Sequence, residues 1–243
     1  MKHILKVASL GNLPDTRPLI AMNDNGDLKL LAEVAPSIEM VDLGLSVKWA
    51  SANLGATCED TAESWYGGFY AWGETETKSD YSWGTYKYGS NWNKLTKYCP
   101  SNKTDYWNGE GSPDNKLILD AMDDVVNVEL GGNYRIPTKA ELVELKALPV
   151  KWVTNYNGVS GLNGLIFTGT NGNTLFIPAA GYFLGSAHNS AGSVWHLWSS
   201  SLYSGDPEYA YNLNFDSNNI RLNSNRGRYY GFSVRAVQQV SNS

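Results

Sequence analysis

The residue types most able to do chemistry gather toward the C-terminal end. Residues 186–232 hold nine Ser, seven Asn and five Tyr, together with His188, His196, Arg221, Arg226 and Arg228, and no Lys. Tyr offers a large amphipathic contact area with few torsions to freeze, while Ser, Asn and Gly offer adaptable hydrogen bonds. Lys is a poor contact residue because its strongly hydrated ammonium resists desolvation. The chemistry of this mixture is non-covalent recognition. A polar β-sheet surface with Asn-rich turns has the same composition, and composition weighs the two readings evenly.

Reaction chemistry leaves no comparable mark. There is no GxGxxG, P-loop, HExxH, CxxC or Gly-x-Ser-x-Gly elbow. His3, His188 and His196 show no metal-ligand spacing. Asp123-Asp124 reads as a solvated or turn-capping pair at a helix end rather than a catalytic dyad. Asp24-Asn25-Gly26-Asp27 lacks the distal Glu of a calcium loop and reads as turn chemistry. The expectation is a binding protein, with no enzyme activity, metal or cofactor.

The elements that must position these residues follow from periodicity and punctuation. Apolar positions 117, 118, 121, 122 and 125 predict a helix over residues 114–127. Thr138-Lys139-Ala140-Glu141 is a capping box, with Leu142, Leu145 and Leu148 following on one face. After Trp152 the chain reads as strands and turns. Asn171-Gly172 joins Leu165-Ile166-Phe167 to Leu175-Phe176-Ile177, and further strands are expected at 194–200, 209–215, 220–222 and 232–237. The alternation over 209–215 predicts one buried and one wet face. Residues 74–112 form a long, aromatic-rich polar stretch.

The 243 residues divide into a module at 1–38 and a main domain at 39–243, with a linker near Ala35-Pro36-Ser37. Asn25-Gly26 between two apolar runs predicts a hairpin in the module, which is too small to build its own core. The net charge of -5 argues against nucleic acid. No apolar run approaches the ~20 residues that span a bilayer, so no membrane insertion is expected. No secretory signal is read at the N-terminus. Cys58 and Cys99 are expected as free thiols rather than a pair.

Six motifs then stand in order. They are Val41-Asp42-Leu43-Gly44-Leu45-Ser46-Val47-Lys48-Trp49-Ala50, Ala71-Trp72-Gly73-Glu74, Tyr134-Arg135-Ile136-Pro137-Thr138, Ile177-Pro178-Ala179-Ala180-Gly181-Tyr182, Trp198-Ser199-Ser200-Ser201 and Gly231-Phe232-Ser233-Val234-Arg235. Over residues 41–238 the chain resembles a paralogous domain of gut anaerobes with a C-type-lectin-like fold, distantly related to formylglycine-generating enzymes. That resemblance implies an α+β, C-type-lectin-like fold with two helices, short antiparallel sheets and long loops, plus the small β-rich N-terminal module. Within that group the chain resembles the variable proteins of diversity-generating retroelements, whose adenine-specific errors at AAC codons exclude Lys, Glu, Gln, Met and Trp. Those five types number 36 in the other 196 residues but three in residues 186–232, Trp195, Trp198 and Glu208, where a proportional share is between eight and nine.

The resemblance implies a division of roles. Trp198, Ser199, Phe215, Phe232 and Val234 are implied framework. His188, Asn189, His196, Tyr203, Asp206, Tyr209, Asp216, Asn218, Asn219, Arg221, Asn223, Ser224, Asn225, Arg228, Tyr229 and Tyr230 are implied to face the ligand, within a variable region of about 186–232. The Glu-Pro-Asn, Gln-Pro-Asp and Trp-Asn-Asp signatures of calcium-dependent lectins are missing: Trp107-Asn108 is followed by Gly109. The leading expectation is a receptor-binding protein on a prophage tail. It is made in the cytoplasm without a signal peptide and recognises a host cell-surface protein or glycan. Residues 1–38 would dock on a phage tail protein or form a homotrimer. The alternatives are an undiversified surface adhesin of the same fold and a diverged formylglycine-generating-type oxidase. Against the oxidase, both cysteines lie in the first half of the chain.

Overall fold

The computed structural model describes residues 19–22, 28–32 and 38–240. The chain divides into two units, Met1–Ile38 and Glu39–Ser243. In the first, β1 (Leu19–Met22) and β2 (Leu28–Ala32) pair antiparallel with Met22 opposite Leu28. The expected turn at 23–27 and linker at 35–37 lie outside the described residues.

The second unit contains strands β3 (Met40–Val41), β4 (Val47–Ala50), β5 (Phe69–Tyr70), β6 (Tyr134–Arg135), β7 (Val150–Val153), β8 (Gly164–Thr168), β9 (Thr174–Pro178), β10 (Tyr182–Leu184), β11 (Ala187–Asn189), β12 (Trp195–Leu202), β13 (Tyr209–Phe215), β14 (Ile220–Gly227), β15 (Phe232–Ser233) and β16 (Val237–Gln239). Two α-helices join them among the described residues, α1 (Val125–Leu130) and α2 (Lys139–Lys146). The architecture is α+β with mostly short antiparallel sheets. Strand orders are β14-β13-β12-β15-β5, β3-β4-β16-β6, β7-β8-β9 and the ribbon β10-β11.

One face of the five-stranded sheet builds the core. Trp195, Leu197, Leu213 and Phe215 project from it toward Leu142 and Leu145 of α2 and toward Phe167 and Ile177 of β8 and β9. The capping box forms as its spacing requires: the Thr138 hydroxyl accepts from Glu141 N, and the Glu141 carboxylate accepts from Thr138 N at 2.8 Å. Arg135 also donates to both Glu141 oxygens, at 2.8 and 2.5 Å, locking helix to strand. The implied framework residues Trp198, Ser199, Phe215, Phe232 and Val234 are all buried.

The motif ending in Arg235 shows how the sheets are joined without an acid. This arginine is fully buried and donates to Asn53 Oδ1 at 3.0 and 2.8 Å and to the carbonyls of Ala50, Ser51 and Phe176. Burial lowers its pKa to about 9, which still leaves a cation at neutral pH.

Two sequence expectations are corrected. Residues 114–124 are not helical: they form an extended stretch and a 3-10 turn at Ala121–Asp123 before α1. The acidic side chains and the backbone of this stretch are engaged elsewhere. Asp114 accepts from Tyr98 N and Cys99 N, and Leu119 N donates to Ser200 O beside β12. Asp124 then caps α1 by accepting from Val126 N and Asn127 N. The second correction concerns β13, which has no wet face at its centre. Asn212 and Asn214 are buried, because Trp198 and His196 of β12 lie opposite them in the ladder.

Candidate functional site

The sheet face opposite the core carries a graded aromatic surface. At its base Phe232 meets His196 and Trp198, with centroids 4.4 and 4.2 Å apart. Tyr182, from the start of β10, stands edge-on to His196 at 5.1 Å. Tyr230 lies 6.1 Å from Tyr182, Tyr229 4.9 Å from Tyr230, and Trp83 of the long loop 4.9 Å from Tyr229. Trp83, Tyr182, Tyr229 and Tyr230 are each half-buried, so the rings are braced below and open above. Arg226 places its guanidinium 6.0 Å from the Tyr230 ring.

β13 and β14 supply the polar part of this face. Asn214 stands between His196 and Arg221 in the ladder. Arg221 is half exposed and meets Asp216 at 3.5 Å. His196 Nδ1 lies 3.2 Å from Asn212 Oδ1. Burial, helped by the positive charge of Arg226, pulls the His196 pKa down to about 4 despite that bond. The ring is therefore neutral at physiological pH. Burial also pushes the Tyr229 hydroxyl up to about 12, so that ring is not a phenolate at neutral pH.

The implied contact residues do not all reach this face. Tyr229, Tyr230 and Arg221 belong to it. His196 and Arg228 are corrections, since both are buried and cannot meet a ligand directly. His196 is enclosed by Phe232 and Tyr182. Arg228 lies over the rings of Trp72 and Tyr86, 5.5 and 5.4 Å from their centroids, and donates to the carbonyls of Lys97 and Tyr98.

The remaining positions are scattered. Asp216, Asn218 and Asn219 form the β13–β14 turn, where the Asp216 carboxylate accepts from Asn218 N and Asn219 N. Tyr209 opposite Gly227 marks the other end of that hairpin, roughly 20 Å away at ~3.3 Å per residue. Tyr203 packs edge-on to Tyr211, whose hydroxyl meets Lys139 Nζ at 3.0 Å on the α2 side. Asp206 approaches Tyr106, and Lys103 donates to Gly205 O in the same loop. His188 and Asn189 sit on β11, His188 stacked flat on Phe183 at 4.6 Å with Nε2 on Ala180 O. The side chains of Asn223, Ser224 and Asn225 lie outside the described residues.

Trp83, Tyr182 and Arg226 were not singled out as contacts from sequence. Trp83 and Tyr182 lie before the Tyr- and Asn-rich stretch and join it only through folding. Arg226 was visible as a residue type, but its exposure was not.

Other polar groups are committed to structure. Asp123 is buried and accepts from Tyr98 at 2.5 Å, from Tyr88 and from Lys97. Burial alone would raise its pKa, but these three donors hold it below the ordinary carboxylate value. The expected solvated or capping pair is thus split: Asp124 caps a helix and Asp123 anchors the long loop. Cys58 and Cys99 are free, and burial pushes Cys99 up to about 11. Among the described residues, no three His, Cys, Asp or Glu side chains come together to hold a metal.

Two cavities lie away from the stripe. One, of about 430 Å³, is lined by Asp124, Asn127, Tyr134, Arg135 and Gln238 among others. The other, of about 330 Å³, is lined by residues including Cys58, Trp65, Tyr156 and Phe176. The arrangement on the sheet face can bind and orient a partner by ring contact and a guanidinium. Compared with family models, curated proteins and solved structures, the chain matches none.

Proposed function

We propose that this chain is a ligand-binding protein whose recognition surface is the outer face of the β14-β13-β12-β15-β5 sheet. In the reading that the motifs favour, it is the C-type-lectin-like, diversified receptor-binding protein of a prophage tail, and the partner is a host-surface molecule. The observation that carries this is the stripe Trp83–Tyr229–Tyr230–Tyr182, half-exposed rings seated on a fully buried His196–Phe232–Trp198 layer. Rigid aromatics lose little rotamer freedom on binding, and large rings dominate the energetics of protein contacts. Exposed positions can change at a cost usually under ~0.5 kcal/mol while the layer beneath stays intact. Display in many copies on a virion would raise weak contacts by ~10²–10⁴ in avidity.

The test is binding of the fluorescently labelled full chain to a panel of intact gut-anaerobe cells. The double variant Tyr229→Ser/Tyr230→Ser is expected to lose cell binding with an unchanged circular dichroism spectrum. Tyr203→Ser/Asp206→Ala is expected to keep it. The reverse pattern would move the site to the Tyr106–Asp206 region and defeat this assignment. Diversification further predicts a near-identical template repeat and a reverse transcriptase gene beside this gene.

A further inference from the structure

The aromatic stripe and its cation together restrict what can bind. Successive rings are tilted by 47° from Trp83 to Tyr229, 41° from Tyr229 to Tyr230 and 34° from Tyr230 to Tyr182. Sugar rings laid along a strip of aromatics stack best where those aromatics share a plane, and these do not. They present mixed edges and faces, an arrangement suited to interlocking with protein side chains. The two cavities described above are lined by residues outside the stripe. Tilted rings of this kind favour a polypeptide over a sugar chain stacked along them.

Charge narrows the partner further. Arg221 is engaged by Asp216 at 3.5 Å. Arg226 has no ion pair among the described residues, and its Nε is shielded from solvent without a hydrogen-bond partner there. Its neighbour His196 is neutral, and Tyr230 offers it only a ring. A guanidinium is a planar fork matched to a carboxylate, and it is more weakly hydrated than an ammonium, so it gives up water readily for such a partner.

We propose that this face takes an acidic segment of a protein, with an Asp or Glu carboxylate on Arg226 and an apolar or aromatic neighbour against Tyr229 and Tyr230. The proposal rests on the sheet face being the binding surface and adds the chemical class of the partner. Arg226 is then the residue that makes the surface selective for negative charge, and Arg221, already balanced by Asp216, contributes less.

The experiment is selection of random dodecapeptides displayed on phage against the immobilised full chain. Selected peptides should be enriched in Asp and Glu over the input library. Individual synthetic peptides from the selection should bind Arg226→Gln about 10- to 100-fold more weakly, the loss of a charged hydrogen bond. Arg226→Lys should recover only part of that loss because an ammonium lacks the fork, and Arg221→Gln should change binding less than Arg226→Gln. If Arg226→Gln shows a lowered thermal midpoint, the Lys variant decides. Peptides without acidic enrichment that bind Arg226→Gln normally, yet are lost in Tyr229→Ser/Tyr230→Ser, would overturn the acidic partner while keeping the surface. Peptides indifferent to all these changes would overturn both. Failure to select any peptide, with binding instead to a panel of sialylated and uronic glycans, would overturn the polypeptide class.

Discussion

Arg228 donates from Nη1 to the carbonyl of Tyr98 at 3.0 Å, joining the chain just beyond β14 to a loop 130 residues earlier. The same nitrogen reaches Lys97 O at 3.1 Å, and the Arg228 carbonyl accepts from Trp72 N. A residue inside the expected variable stretch is thus part of the scaffold that stretch depends on.

Arg228→Ala should therefore destabilise the fold by at least about 2 kcal/mol, from lost packing on Trp72 and Tyr86 and two buried carbonyls left without donors. Arg221→Ala, at a half-exposed site, should stay within ~0.5 kcal/mol. Urea denaturation of the two variants checks this. Equal effects would show that Arg228 is dispensable.

His196 should make stability fall in mild acid. Its folded pKa of about 4 lies below the ordinary 6.5, so between those values the unfolded chain binds more protons. The stability that it confers is present above pH 6.5 and is lost as pH drops toward 4, to a limit of roughly 3 kcal/mol. His196→Phe should flatten the stability profile across that window. A variant with the wild-type slope would assign the effect to other groups.

Asp123 works at lower pH with the depressed value of a paired carboxylate. Its contribution is present above the unfolded value near ~3.9 and disappears as pH falls through the folded value. Asp123→Asn should cost about 1–3 kcal/mol at pH 7, where three donors lose a charged acceptor. The gap to wild type should narrow as pH falls below about 4. Chemical denaturation at pH 7 and pH 3 distinguishes this from a loss independent of pH.

Thiol labelling should separate the two cysteines. Cys99 is buried, its Sγ near the Lys103 carbonyl at 3.3 Å, and its thiol is held protonated. Cys58 is partly exposed on a left-handed backbone, φ 54°. With a thiol reagent at pH 7.5, Cys58 should react first and Cys99 only on unfolding, as peptide mapping would show. Simultaneous labelling of the native protein would contradict the burial of Cys99.

Local signals were legible in the sequence where local chemistry decides structure. Thr138 and Glu141 cap α2 as their spacing demands, and Asn171-Gly172 turns β8 into β9. The helical spacing across 114–127 misled because it reports apolar periodicity alone. Asp114 and Asp123 bond loop groups, Leu119 pairs with Ser200, and tertiary contacts override the period. At the site, the Tyr, Asn and Arg composition was visible but its sorting was not. Arg221, Arg226 and Arg228 are the same residue type within eight positions, yet one is exposed, one half-buried and one fully buried. The chain leaves β14 at Gly227, so strand alternation no longer says which way the next side chain points. Trp83 and Tyr182 reach Tyr229 and Tyr230 only through tertiary packing, which no local pattern encodes.

β14 is the outermost member of its sheet and, among the described strands, pairs with β13 alone. An amino-acid exchange there disturbs a single ladder, whereas one on β12 would be felt by strands on both flanks. A combinatorial library planted along this rim would return more folded members than one planted two strands further in. Engineers wishing to retarget the molecule should begin at its margin.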